Sequence, residues 1–442
     1  MSGSSAAPGQ SWLARPSRRV GGCISVPGDK SISHRALMLG GIAEGVTSVR
    51  GFLEGEDCLA TLAAMRAMGV RIGRSGDGAL EVEGTGLHGL IEPAGPLDMG
   101  NAGTAMRLFT GLLAGQRFDS VLVGDSSLMR RPMERVAAPL RLMGARIDTA
   151  SGRPPVRIHG GQSLHGIDYR LEVASAQVKS AILLAGLYAR GKTTVTEPAV
   201  TRDHTERMLR AFGVPVVTDG SRISMEPAAP RGCTIEVPGD FSSAAFFLVA
   251  ATVAGREPME IRHVGVNPTR SGLLDILRLM GARIEVVNLR RAGDEPVADL
   301  MVEPSTLRGI EVPEELVPLA IDEFPVLFVA AALAQGETLV TGAEELRVKE
   351  SDRIGAMAAG LQALGAQAEA RPDGMWIRGG ALSGGTVDSH GDHRIAMSFA
   401  VAASCATGPV RILDVANVAT SFPGFLEVAS RAGLDVEVGG SE

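Results

Sequence analysis

The octapeptide LRLMGARI stands at 140–147 and returns unchanged at 277–284. Looser versions are AMRAMGVRI, MLRAFGVPVV, GLQALGAQAEA and VASRAGLDVEV. Each has the form of an amphipathic helix end, a glycine just past the helix, and then a strand. The glycines are Gly69, Gly144, Gly213, Gly281, Gly365 and Gly433, spaced 68 to 84 residues apart. The chain is therefore read as six copies of one unit.

A second series runs out of phase with the first. RALMLGGIAEG, AMRLFTGLLAG, AILLAGLYARG, AAFFLVAATVAG, VLFVAAALAQG and IAMSFAVAASCATG are nearly all apolar, and end at Gly45, Gly115, Gly191, Gly255, Gly336 and Gly408. An all-apolar helix is buried on every side, whereas an amphipathic one faces water. Each unit thus holds one buried helix, one surface helix, and strands between and after them. An open solenoid gives a buried helix neighbours above and below only. Three units closing around their buried helices, done twice, cover it better. CISVPGDK at 23–30 and CTIEVPGDF at 233–241 resemble each other three units apart, and mark where the chain crosses between two domains. The expected middle domain spans 27–236. The second is built from 1–26 and 237–442, with 1–19 as a disordered tail.

Composition narrows the class. The 442 residues are 45% hydrophobic but only 4% aromatic, so Ala, Leu, Val, Ile and Met must fill the cores. No apolar run reaches the roughly 18 residues that crossing a bilayer needs. A net charge of −7 argues against a nucleic-acid partner. Cys23, Cys58, Cys233 and Cys405 form no CxxC pair and fit reduced thiols in a cytoplasmic protein. His34, His204, His390 and His393 lack the spacing and companion ligands of a metal site. Neither a metal nor a cofactor is expected.

Chemistry gathers where each buried helix begins. DKSISHR, GNAGTAMR, SAQVKS, GDFSS, IDEF and GDHR precede the apolar segments. Each offers N-cap residues. Capping does not explain Lys30, Arg35, Lys179 or Arg394, because a cation at a helix N-terminus opposes the macrodipole. Several such cations fit an anion held by free N–H groups and positive side chains. Helices aimed at one interdomain cleft would bind a strongly anionic ligand there. Three further charged stretches are SLMRRPM (127–133), TRDHTERM (201–208) and ELRVKESDRI (345–354). In KESDR, helical spacing would put Lys349 and Arg353 on one helix face, with Glu350 beside them. Asp322 and Glu350 are the two acids set among cations at helix starts. Such a pair can divide base and acid roles.

PGDKSISHRA, GNAGTAMR, RRPM, SAQVKSA, RDHTE, VKESDR and DHRIAMS, in this order, resemble the EPSP synthase family, and in wording its second bacterial subgroup. The resemblance runs from about residue 25 to the end. It implies an α/β fold of two inverse α/β barrel domains, each of three βαβαββ repeats, closing on substrate. It implies transfer of the enolpyruvyl group of phosphoenolpyruvate to the 5-hydroxyl of shikimate 3-phosphate, with loss of phosphate and without a cofactor; two domains closing within one chain make a monomer sufficient. Both small-molecule partners are anions. By motif, Lys30 resembles the lysine touching both substrates, while Ser31 and Arg35 match ligands on the shikimate carboxylate side. Asn101, Gly103, Thr104 and Arg131 would line the phosphoenolpyruvate site. Ser175, Ala176, Gln177 and Arg202 would hold the shikimate phosphate and ring. Asp322 resembles the acceptor of the hydroxyl proton and Glu350 the proton donor to C3, with Lys349, Arg353 and Arg394 binding substrate. The pair is better determined than the division of roles within it, since neighbouring cations suit a base.

One departure is Thr420, which stands where the first subgroup carries a lysine that binds phosphoenolpyruvate. Two alternatives remain open on sequence. The sister transferases acting on a UDP-amino sugar normally carry a cysteine in the loop corresponding to 124–133, and GDSSLMRRPM has none. A non-catalytic anion-binding protein on the same repeats would need no acid–base pair.

Overall fold

The computed structural model describes residues 10–17, 19–76 and 78–439. These fall into two compact units. A middle unit takes Gly28–Pro238 with Arg291–Pro296, and a split unit takes the described parts of 1–27, 239–290 and 297–442. The chain passes from one to the other at 27–28 and 238–239, inside the two VPGD stretches. Expected as parts of a single domain, residues 291–296 group instead with the middle unit, where Glu295 accepts a hydrogen bond from His204 Nδ1 at 2.7 Å.

In the middle unit the helices are α1 (Lys30–Gly41), α2 (Glu56–Ala67), α3 (Gly103–Ala114), α4 (Glu134–Leu142), α5 (Ala176–Gly186) and α6 (His204–Ala211). The split unit holds α7 (Phe241–Ala254), α8 (Gly272–Leu279), the short α9 (Val317–Ala320), α10 (Phe324–Ala332), α11 (Arg353–Ala363), α12 (His393–Ala403) and α13 (Phe425–Arg431). The apolar segments form α1, α3, α5, α7, α10 and α12, which are buried over nearly their whole length. The repeat motif forms the ends of α2, α4, α6, α8, α11 and α13.

The LRLMGARI motif is a Schellman turn with an added clasp. All six motif glycines have φ between 80° and 99°, a conformation that costs other residues more. In both exact copies the glycine N–H bonds back to the arginine carbonyl, and the next N–H bonds to the leucine carbonyl five residues earlier. The arginine then reaches over the turn to the isoleucine carbonyl: Arg141 Nε to Ile147 O at 2.8 Å, Arg278 Nε to Ile284 O at 3.3 Å. Arg66, Arg210 and Gln362 do the same in looser copies. The repeated arginine thus fixes the angle between surface helix and following strand.

Among the described residues six small sheets wrap the buried helices. In the second repeat, 97–98 pairs parallel with 120–123, which pairs antiparallel with 153–159, which pairs antiparallel with 146–150. The parallel pair spans the buried helix and the antiparallel hairpin follows the surface helix, which is the βαβαββ order. Closure replaces stacking. Thr234–Glu236, at the end of the middle unit, pairs parallel with Val46–Arg50 of its first repeat. Val20–Ser25 does the same with Gly255–Gly265 in the split unit. Helices inside and sheets outside make each unit an inverse α/β barrel.

The expected N-terminal tail is corrected in part. Residues 1–9 and 18 lie outside the described residues. Trp12–Arg15, however, is a strand between Val410–Leu413 and Asp435–Val438, antiparallel to both. Trp12 is buried and stacks on Phe425 with ring centroids 5.2 Å apart. The first strand completes the last repeat. No helix among the described residues is long and apolar enough to cross a membrane.

Candidate active site

The starts of three buried helices meet in each unit. In the middle unit, Gln177 of α5 donates from Nε2 to Thr104 Oγ1 of α3 at 2.8 Å, and Arg35 of α1 donates from Nη2 to Ser180 Oγ of α5 at 2.9 Å. In the split unit, Ser242 of α7 donates to the Glu323 carboxylate before α10, and Arg394 of α12 donates from Nη1 to Asp322 O at 3.1 Å.

Side chains and backbone bend the middle mouth into shape. Asp29 caps α1 by accepting from Ile32 N at 2.9 Å, and Ser175 caps α5 by accepting from Val178 N at 3.4 Å. That leaves Ser31 and Ala176 within the opening turns. Lys30 pairs with Asp57 at the start of α2, Nζ to Oδ2 2.9 Å. Arg35 is buried yet held by neutral oxygens: Nε to Thr205 Oγ1 at 2.7 Å, Nη2 to Ser180 Oγ, and Nη1 to Ser31 O at 2.9 Å. Burial pushes it down to about 10, against the pull of Glu206, so it is charged at neutral pH. Arg131 donates from Nη2 to Asn101 Oδ1 at 2.6 Å, and Asn101 is braced by donating to Asp125 Oδ2 at 2.7 Å. Gly103 makes room for this arginine, since a Cβ there would stand 2.7 Å from Arg131 Nη1. Arg202 lies half-buried in the loop before α6.

Acids dominate the split unit's mouth. Arg353 is buried, and its guanidinium meets three carboxylates: Asp392 (Nε to Oδ2 2.8 Å), Asp322 (Nη1 to Oδ1 3.3 Å) and Glu350 through Nη2. Lys349 Nζ stands 3.6 Å from Asp322 Oδ1, and Arg394 Nη2 3.9 Å from Oδ2. Burial, with Arg353 nearby, holds the Lys349 ammonium below its ordinary value, although Asp322 opposes this. The three carboxylates hold the Arg353 guanidinium above the ordinary arginine range, despite its burial.

The structure differs from sequence expectation at two places. KESDR is not a helix face: α11 starts only at Arg353, and Asp352 caps it by accepting from Gly355 N at 3.0 Å. Lys349 and Glu350 lie in the preceding turn, and Asp322 rather than helical spacing brings Lys349 and Arg353 together. Lys179 does not face an anion site. It is enclosed by Glu197 (2.9 Å) and Glu206 (2.8 Å). Thr420 turns its hydroxyl to Asn417 O at 2.6 Å, closing its own short helical turn.

Several important residues escaped sequence reasoning. Asp392 is fully buried, caps α12 through Arg394 N, and fixes Arg353. It was visible only as the D of DHR. Arg107 clamps Gln177 Oε1, and Asp57 pairs with Lys30 from 27 residues away. Arg270, buried, pairs with Asp240 at the α7 mouth at 2.7 Å.

With this geometry in hand, kinship is decided by a family model. The model described as EPSP synthase (3-phosphoshikimate 1-carboxyvinyltransferase) matches residues 14–429. The chain belongs to this family. A 3-phosphoshikimate 1-carboxyvinyltransferase of Methylococcus capsulatus is 62% identical over 97% of this chain and 98% of its own length. One from Acidithiobacillus ferrooxidans is 60% identical over 97% and 99%. The solved EPSP synthase of Acinetobacter baumannii superposes with TM-score 0.87 at 54% identity, covering 98% of this chain and all of that one. The enolpyruvyl transferase NikO of Streptomyces tendae, 17% identical with TM-score 0.79, shares the fold. The EPSP synthase fold thus accounts for the whole described chain.

Proposed function

We propose that this chain transfers the enolpyruvyl group of phosphoenolpyruvate to the 5-hydroxyl of shikimate 3-phosphate, releasing phosphate. The observation that carries this reading is the pair of acids, Asp322 and Glu350, both bonded to one buried guanidinium, Arg353. Two carboxylates fixed on one rigid cation can serve opposite proton transfers on one carbon skeleton.

The oxygen of the 5-hydroxyl attacks C2 of phosphoenolpyruvate and gives its proton to Asp322, which stands among Lys349, Arg353 and Arg394. Glu350 donates a proton to C3, which becomes a methyl group. The tetrahedral adduct then expels phosphate as C3 returns a proton, and the enol ether double bond forms. Lys30, Ser31 and Arg35 bind the shikimate carboxylate side, with Lys30 also reaching phosphoenolpyruvate. Ser175, Ala176, Gln177 and Arg202 take the shikimate phosphate and ring. Asn101, Gly103, Thr104, Arg131 and Arg394 hold phosphoenolpyruvate, and Lys349 and Arg353 offset the charge of both ligands. The chain works as a monomer without a cofactor.

Phosphate release from phosphoenolpyruvate tests this, with and without shikimate 3-phosphate, in the wild type and in Glu350→Gln. Release that needs both substrates, and falls at least about 100-fold in the variant, supports the reading. Binding of both ligands without release overturns the reaction. Undiminished release by the variant overturns the role of Glu350.

A further inference from the structure

The site cation Arg35 differs from the charged groups around it: among the described residues no carboxylate makes an ion pair with it. One acid, Glu206, is adjacent in the chain to a residue that touches it. It follows Thr205, whose hydroxyl accepts from Arg35. Glu206 attracts Arg35 electrostatically more than Asp29 or Glu295 does. Yet its carboxylate points elsewhere, to Lys179 Nζ at 2.8 Å, with both side chains 1% exposed.

Two neighbouring contacts join α5 to α6. Lys179 meets Glu206, and Ser180 meets Thr205, Oγ to Oγ1 2.7 Å. Ser180 donates to Ala176 O at 2.6 Å, so its oxygen is left to accept from Arg35 and from Thr205. The second carboxylate, Glu197, accepts from Lys179 at 2.9 Å and from the Thr201 hydroxyl, closing a polar cluster sealed from water. Among the described residues Glu206 Oε2 has no hydrogen-bond partner, so the ammonium at Oε1 is the main support for that charge.

We infer that Lys179 is a positioning residue for substrate binding: it draws the Glu206 carboxylate away from Arg35, so that the Arg35 charge stays available to an anionic ligand. This rests on the reading that Arg35 binds shikimate 3-phosphate. Removing the ammonium leaves Glu206 to turn its charge on Arg35. A buried cation already paired with a protein carboxylate gains little from a ligand carboxylate. Removing Glu206 instead frees Arg35 further. The two changes therefore act on affinity in opposite directions, whereas a purely structural ion pair would weaken binding whichever partner is lost.

The test is calorimetric binding of shikimate 3-phosphate to the full chain, with thermal unfolding recorded alongside. Lys179→Gln is expected to weaken binding at least about tenfold. Glu206→Gln should bind as well as the wild type or up to about threefold tighter, although it melts lower. The double variant Lys179→Gln/Glu206→Gln should return to within about threefold of the wild type. Should Lys179→Gln fail to fold, Glu206→Gln and the double variant still decide the matter. Weakened binding in Glu206→Gln, or a folded double variant that stays weak, overturns the inference. No binding by the wild type overturns the functional reading itself, and with it the ligand named here.

Discussion

The two units gather three buried-helix starts each, and hold their cations in different ways. In the middle unit Arg35 rests on two hydroxyls and a carbonyl. In the split unit Arg353 is shared among three carboxylates, and Lys349 and Arg394 flank Asp322. A cation on neutral acceptors keeps its charge for a ligand. A cation shared among acids serves chiefly to place those acids. On the proposed function, the same repeat supports mainly ligand binding in the middle unit, and proton transfer with added ligand contacts in the split unit. Lys30, by contrast, is paired with Asp57.

The largest effect should come from breaking the acid framework. Asp392→Asn leaves Arg353 without its most buried partner. A destabilisation of about 3 kcal/mol or more is expected. A drop in kcat of about 100-fold should follow, since Asp322 and Glu350 lose their common anchor. Denaturant unfolding and steady-state kinetics check both. A smaller effect is expected on the binding side. Gly103→Ala would push Arg131 off Asn101, because the new Cβ falls 2.7 Å from Nη1. The KM for phosphoenolpyruvate should rise about tenfold with kcat far less changed. A fall in kcat without a change in KM would place Arg131 on the wrong side of the comparison.

In the split unit, Asp299 is held down at about 2 by His263 N–H, Asn288 and Arg290, against its burial. Its ordinary value is 3.8. The depressed group contributes stability that is present above about pH 4 and lost as pH falls toward about 2. Asp299→Asn should therefore flatten the acid limb of the stability curve over that window, and leave the curve's shape above about pH 5 unchanged. Thermal melting across pH checks this.

Much of the fold was legible because its signals are local. A glycine at a left-handed position, an apolar run and an N-cap each lie within one repeat. They located the six surface-helix ends and the six helix mouths. What was missed depends on distant partners. The strand at Trp12–Arg15 is four residues long, and it is held by strands some 400 residues later and by Phe425. Lys179 carries the same charge as Lys30, and only the positions of Glu197 and Glu206 show that it is internal. KESDR has helical spacing, but the Asp352 cap starts the helix after Lys349 and Glu350. Asp392 sat inside a recognised motif, and its value became visible only once Arg353 was seen to reach it.

The division of labour between the two mouths is tested most directly by comparing shikimate 3-phosphate affinity with turnover in Arg35→Met and Glu350→Gln. Arg35→Met is expected to lose at least about 30-fold in affinity. Glu350→Gln should bind within about threefold of the wild type while turning over at least about 100-fold more slowly. Equal loss of affinity in both variants, or full affinity in Arg35→Met, would contradict it.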